Sequence, residues 1–410
     1  MKPSPQHVQN VYLALTFFNT LAASFIWGIN TLFLLAAGLS NTQAFMANAF
    51  FTVGQVIFEV PTGMVADLKG RRASYLLGTI TLALSTLAYL GAWYIHAPMV
   101  IWAISSILLG LGFTFFSGAT EAWLVDALEY SGYKDSLEPV FAKSQIVTGV
   151  AMLGGSVSGG IIAQMTDLSV PYILRAVILG VTFVIALLFM KDWGFTPAKS
   201  VDLAGDFKKL FVNSFEFSWS KPAVRWIMLS APVISGVSFY AFYAMQPYLL
   251  QLYGNQQAYA IAGLAAAIVA GAQIAGGLLV NHIRKLFTLR TSVLGIGTAL
   301  GAVLLLLIGL TSHFALAIVL LSVWGLVSAA VMPVRQAYLN KLIPSKQRAT
   351  VLSFDSLLGS SGGVGIQPAL GRVADLWSYN ASFIAGAALQ AIALPCIFLA
   401  RKEHSEADKA

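Results

Sequence analysis

Apolar runs of roughly twenty residues or more follow one another along nearly the whole chain. They fall near 11–37, 43–67, 73–95, 98–128, 140–165, 170–190, 222–252, 258–280, 289–310, 314–341, 350–371 and 378–400. About 20 mostly apolar helical residues cross the hydrocarbon core of a bilayer. Twelve such runs in 410 residues, 58% hydrophobic and 10% charged, leave too few charges to cover a water-soluble surface, since a soluble domain carries about 25%. Disorder needs low hydrophobicity and high net charge and is excluded. The chain therefore reads as an all-α membrane protein of twelve transmembrane helices, with the lipid bilayer as its first partner. The first run is too long for a signal-peptide core and has no A-x-A site after it, so an uncleaved anchor is expected. The single Cys396 rules out an intramolecular disulfide and argues against a Cys-based metal site. His7, His96, His282, His313 and His404 are scattered over loops and tails, so no metal is expected either.

The net charge of +7 is distributed by side. With the N-terminus taken as cytoplasmic, every Lys and Arg except Arg175, Arg335 and Arg372 falls on the cytoplasmic side. The opposite loops 38–42, 95–98, 253–257 and 311–313 carry none. This positive-inside asymmetry fits an even number of spans with both termini inside. It accounts for the basic charge without nucleic acid, and no nucleic-acid-binding motif occurs.

The longest polar stretch, 191–221, divides the chain into 1–190 and 222–410. Within it Leu203, Phe207, Leu210, Phe211 and Phe215 recur at helical spacing between charges. That pattern predicts an amphipathic helix on the membrane face, or else a solvated linker. The two halves repeat. Gln43-Ala44-Phe45 matches Gln257-Ala258-Tyr259, and Gly63 to Asp67 matches Gly277 to Asn281, both at an offset of 214. Ala122-Trp123-Leu124 matches Ala337-Tyr338-Leu339 at 215, and Asp167-Leu168 matches Asp375-Leu376 at 208. Two parallel six-helix bundles joined by a central loop are expected, with a cavity on their pseudo-twofold axis.

Between spans two and three the chain reads Gly63-Met-Val-Ala-Asp67-Leu-Lys-Gly70-Arg71-Arg72. In spacing and position this resembles the signature loop of the Major Facilitator Superfamily, G-x-x-x-D-R/K-x-G-R/K-R/K, with Leu68 where the family has a base. Gly63 permits close helix approach and Gly70 a tight turn. Charges at the membrane edge need partners. The resemblance implies that Asp67 faces the N-terminus of span eleven and that Arg71 pairs with an acid at the inner end of span four, where Asp126 stands. The cluster of Asp67, Arg71, Arg72 and Asp126 would then latch the two halves while the cavity faces outward. Family exporters often carry G-P-x-x-G-G in span five. Here Gly155-Ser156-Val157-Ser158-Gly159-Gly160 puts Ser in place of Pro, and the run also reads as ordinary small-residue packing. Gly359 to Gly363 repeats it.

No nucleotide-binding loop is present, so uphill transport would draw on an ion gradient, with no bound cofactor. Proton coupling needs a carboxylate that exchanges between neutral and charged forms. Glu59 lies in span two and Glu121 in span four, at comparable depth. Each is either a coupling site or a fixed tether. Arg335, in span ten, is expected to face Glu121 across the cavity, where it could bind an anionic group. Asp355, early in span eleven, reads as a gate or latch partner. Phe25 and Asn30 of span one, with Phe239, Tyr243 and Gln246 of span seven, are expected to line the cavity, since aromatics mixed with amides suit an amphipathic solute. The resemblance to twelve-span drug/proton antiporters implies a monomeric secondary transporter in the cell membrane, exporting a drug-like or metabolite-like small molecule by alternating access. Two alternatives stand: a proton-coupled nutrient uptake symporter, and a non-transporting membrane receptor or assembly partner.

Overall fold

The computed structural model describes residues 2–197 and 215–409. Of the amphipathic helix expected over Leu203 to Phe215, all but Phe215 lies outside them. Fourteen α-helices occur among the described residues, with no named strand. In chain order they are α1 (Pro5–Trp27), α2 (Asn30–Ala36), α3 (Asn41–Lys69), α4 (Arg71–Tyr94), α5 (Met99–Thr114), α6 (Ala119–Ser131), α7 (Glu138–Met165) and α8 (Val170–Phe189). After the central loop come α9 (Pro222–Tyr253), α10 (Tyr259–Lys285), α11 (Arg290–Leu310), α12 (Phe314–Leu342), α13 (Ser345–Leu376) and α14 (Tyr379–Lys402). The first apolar run is thus broken at Gly28 into α1 and α2. The fourth is broken at Phe115–Gly118 into α5 and α6, where Gly118 adopts φ +66°, a left-handed conformation that suits glycine.

Among the described residues, eleven helical segments are long and apolar enough to cross a membrane, with α5 and α6 counted as one. The twelfth expected span, α13, has the length but carries Arg348, Asp355, Arg372 and Asp375. Two of these charges are answered by protein. Asp355 pairs with Arg335. Asp375 accepts the backbone N–H groups of Asn41 and Thr42 at 2.9 and 2.8 Å, capping the start of α3. A carboxylate at a helix N-terminus meets both free donors and the positive end of the dipole.

By packing, the chain divides into two units. The first takes Met1–Phe33, Phe50–Leu203 and Tyr259–Leu264, and the second takes Leu34–Ala49, Ala204–Ala258 and Ala265–Ala410. In the first unit α1 packs on α7 and α8, and α4 on α5 and α8. In the second α9 packs on α13 and α14, and α11 on α12 and α14. These are the same pairings shifted by six spans. The glycine runs serve the first pairing in each unit. A Cβ on Gly159 of α7 would strike the Phe25 carbonyl of α1, and one on Gly362 of α13 would strike the Pro232 carbonyl of α9. Small residues here let two helix backbones touch. The first core gathers Tyr12, Tyr75, Trp123 and Leu124. The second gathers Tyr240, Tyr248, Trp324 and Phe383.

Candidate functional site

Within the first unit a cavity of about 500 Å³ is lined by α1, α3, α6 and α7 together with the α5–α6 break. Both carboxylates singled out in the sequence, Glu59 and Glu121, border it. The break makes this possible. Ser117, at the turn, donates its hydroxyl to Glu59 Oε1 at 2.6 Å. Glu121 falls in the first turn of α6, where the helix dipole favours an anion. The rest of the wall is neutral and mostly polar, including Thr16, Asn19, Gln55 and Gln145, and among the described residues no Lys or Arg borders it. Two acids without a base in the same cavity attract protons or a cationic group.

The signature loop is assembled inside the first unit. Arg71 Nη1 bonds Asp67 on the same stretch, and its Nε lies 3.9 Å from Asp126 Oδ2. Arg72 donates its backbone N–H to Asp192 Oδ1 at 2.8 Å and its Nη2 to the Leu187 carbonyl at 2.6 Å. Gly70 has φ +105°, and a Cβ there would run into the Asp192 carboxylate, so the position is closed to other residues twice over. Asp192 was not singled out in the sequence. It caps the N-terminus of α4, which otherwise lacks a side-chain cap. The second unit repeats the device. Asp408 accepts the Thr291 N–H at 2.7 Å and the Thr291 hydroxyl at 2.6 Å at the start of α11, and Arg290 Nη1 donates to the Ala407 carbonyl at 2.5 Å. Asp192 and Asp408 stand 216 residues apart, close to the repeat offset. That coincidence is the signal that would have found them.

A second cavity, about 330 Å³, lies within the second unit and is bordered by Arg335, Phe239, Gln273 and Gln390. Arg335 has its charge partner inside its own unit. Its guanidinium grips Asp355 with two bonds, 2.7 and 2.6 Å, and also reaches the Ile227 carbonyl at 3.3 Å. Both partners are buried. Arg335 projects from α12 toward the neighbouring α13, so its charge is met inside its own unit. Asp355 is the other half of that pair.

The family description Major Facilitator Superfamily fits residues 12–364 and, in a second match, 286–410. The chain belongs to the Major Facilitator Superfamily. It is a multi-pass membrane transporter and not an enzyme. Among solved structures, the nucleoside transporter NupG superposes with a TM-score of 0.78 at 10% identity, over 96% of this chain and 99% of that one. A bacterial homologue of the human lysosomal transporter Spinster, inward-facing and occupied, gives 0.75 at 14% identity over 100% and 99%. A POT family transporter in complex with 5-aminolevulinic acid gives 0.69 at 14% over 95% and 94%. At such identities the likeness is one of fold. No curated protein sequence matches the chain.

The other residues singled out in the sequence are placed as follows. Of the residues expected to line a cavity, Phe239 borders the second one. Phe25, Asn30, Tyr243 and Gln246 border neither. Asn30 Oδ1 accepts the Tyr172 hydroxyl at 2.9 Å, Phe25 is buried where α1 meets α7, Tyr243 packs edge-on against Phe242, and Gln246 is buried. Gly63 also differs from expectation, because a Cβ there would meet nothing within 4 Å. It is not a point of close helix approach. Asp167 accepts the Ser169 N–H at 2.6 Å, a local turn.

Proposed function

We propose that this transporter is driven by the proton gradient and exports an amphipathic small molecule from the cell by alternating access, as a monomer with both termini in the cytoplasm and without a bound cofactor. The supporting observation is the pairing of Glu59 and Glu121 on one cavity that no basic residue borders among the described residues. A proton and a cargo that compete for such a site exchange with each other, which is the requirement for antiport. The Asp67–Arg71–Asp126 cluster, with Gly70 and Arg72 shaping the turn, is assigned the role of a latch that favours one state of the cycle.

A second reading, proton-coupled uptake of a polar solute, draws on the hydroxyls and amides that make up much of the same wall. Proteoliposomes separate the two. Export by antiport predicts that vesicles acidified inside accumulate ethidium. Uptake by symport predicts that vesicles made alkaline inside accumulate a radiolabelled nucleoside and leave ethidium alone. In either case Glu59→Gln and Glu121→Gln should fold normally, and at least one should lose ten-fold or more of the gradient-driven rate. Unchanged rates in both variants would sink the coupling role.

A further inference from the structure

We propose that a groove at the edge of the second unit, between the first turns of α11 and the last turns of α14, is a site for one anionic phospholipid. Its phosphate would lie at Arg401 and Lys402, and an acyl chain along Ile296, Leu394 and Phe398. The inference does not rest on the proton coupling proposed above, since neither Glu59 nor Glu121 borders this groove.

The groove has a volume of about 300 Å³. Helices α11 and α14 pack on each other. The start of α11 lies beside the end of α14, because Leu289 bridges to Lys409 in the tail. Residues three or four apart share a helix face. The face of α11 on the groove carries Ser292 and Ile296, and that of α14 carries Leu394, Phe398 and Arg401. At 1.5 Å per residue, Ile296 lies roughly 6 Å deeper than Ser292, and Leu394 roughly 10 Å deeper than Arg401. Both faces thus run from polar at the rim to apolar below, which is the order of headgroup and chain in a phospholipid. The apolar part is open. Ile296 is 53% exposed and Phe398 57%, so a chain in the bilayer can lie against both.

Charge selects the headgroup. Arg401 and Lys402 are exposed, and the Lys402 ammonium lies 4.9 Å from the centre of the Phe398 ring, which keeps it beside the groove. Among the described residues, neither base has an acid within ion-pair distance. The acids nearby do not supply one. Asp408 is buried on the N–H and hydroxyl of Thr291, Glu406 pairs with Lys409, and Glu403 does not border the groove. A guanidinium fork matches phosphate oxygens and an ammonium adds a point charge. Basic pockets between membrane helices hold anionic headgroups in this way. Free phosphate would meet the two bases and leave the apolar wall bare. A choline headgroup would bring a third cation to the rim.

Native mass spectrometry of the purified, delipidated full-length chain counts bound lipids one at a time. Dioleoylphosphatidylglycerol should form one saturable adduct per chain, about ten-fold tighter than dioleoylphosphatidylcholine, and inorganic phosphate in excess should not displace it. Arg401→Gln together with Lys402→Gln should abolish that preference. Lys134→Gln together with Lys143→Gln, which removes the same charge from exposed positions of the first unit, should leave it intact. Leu394→Trp should block the groove and lower the phosphatidylglycerol affinity about ten-fold. Ile296→Trp blocks it from an exposed position should Leu394→Trp not fold, with gel filtration reporting on both. Equal affinity for the two lipids, or equal loss in the two charge-pair variants, would show diffuse attraction to a basic surface. Displacement by phosphate would show a free-anion site. Each of these results overturns the proposal.

Discussion

Gly63 and Gly70 sit seven residues apart in one motif, yet their surroundings predict opposite responses to the same substitution. Gly70→Ala forces an L-residue to φ +105° and into the Asp192 carboxylate. The left-handed backbone alone costs roughly 1–2 kcal/mol, so the melting temperature should fall. Gly63 is inside α3 with open space around its Cβ position. Ala is better than Gly in a helix interior by roughly 0.5–1 kcal/mol, so Gly63→Ala should raise it. Thermal unfolding in detergent, followed by tryptophan fluorescence, reads both signs, and matching signs would contradict the loop geometry. The motif's spacing announces two glycines without distinguishing a turn former from a helix residue. Arg335 and Asp355 make a similar point. Each was legible as an intramembrane charge, but their partnership was not, because they are 20 residues apart on different helices. Asp355→Asn leaves a buried guanidinium without a counter-charge, which costs about 3–5 kcal/mol. The double variant Arg335→Leu, Asp355→Leu should recover much of that loss in the same unfolding assay.

Helices α4 and α11 begin at equivalent points of the two halves, and each takes its N-cap from an acid beyond the last helix of its own unit. Replacing a capping Asp by Ala costs about 0.5–2 kcal/mol. Asp192→Ala should therefore speed amide exchange in the first turn of α4 and leave α11 alone. Asp408→Ala should do the reverse, and deletion of residues 405–410 should reproduce it, since Asp408 and the Ala407 carbonyl depart together. Uniform exchange across both helices in all three proteins would rule out local capping. Helix α6 shows what a break accomplishes. The apolar run 98–128 reads as one span, but the turn at Ser117 and Gly118 starts a new helix, and with it a new N-terminus beside Glu121. Composition could not show this, because Phe115 and Phe116 keep the run apolar through the break.

The two units reproduce one set of helix pairings, as an ancestral duplication would leave them. Orientation in the membrane can be tested at this scale. In a Cys396→Ala background, Gln256→Cys should react with a membrane-impermeant maleimide on intact cells. Lys402→Cys should react only after permeabilisation. Both positions are exposed. The reverse pattern would invert the proposed topology.

The apolar runs, the one-sided Lys and Arg, the repeat offset and the glycine–acid–glycine loop were all readable in one dimension, because each is a matter of order and spacing along the chain. They were enough to point to the membrane, the helical architecture and the superfamily. The face that each helix turns to its neighbours was another matter. A span apolar on every side carries no amphipathic stripe to orient it, so the sequence could not show that Asn30 accepts from Tyr172 or that Gln246 is buried. Packing chose the rotation of each helix. With it came the gathering of Glu59 and Glu121 on one cavity and the pairing of Arg335 with Asp355.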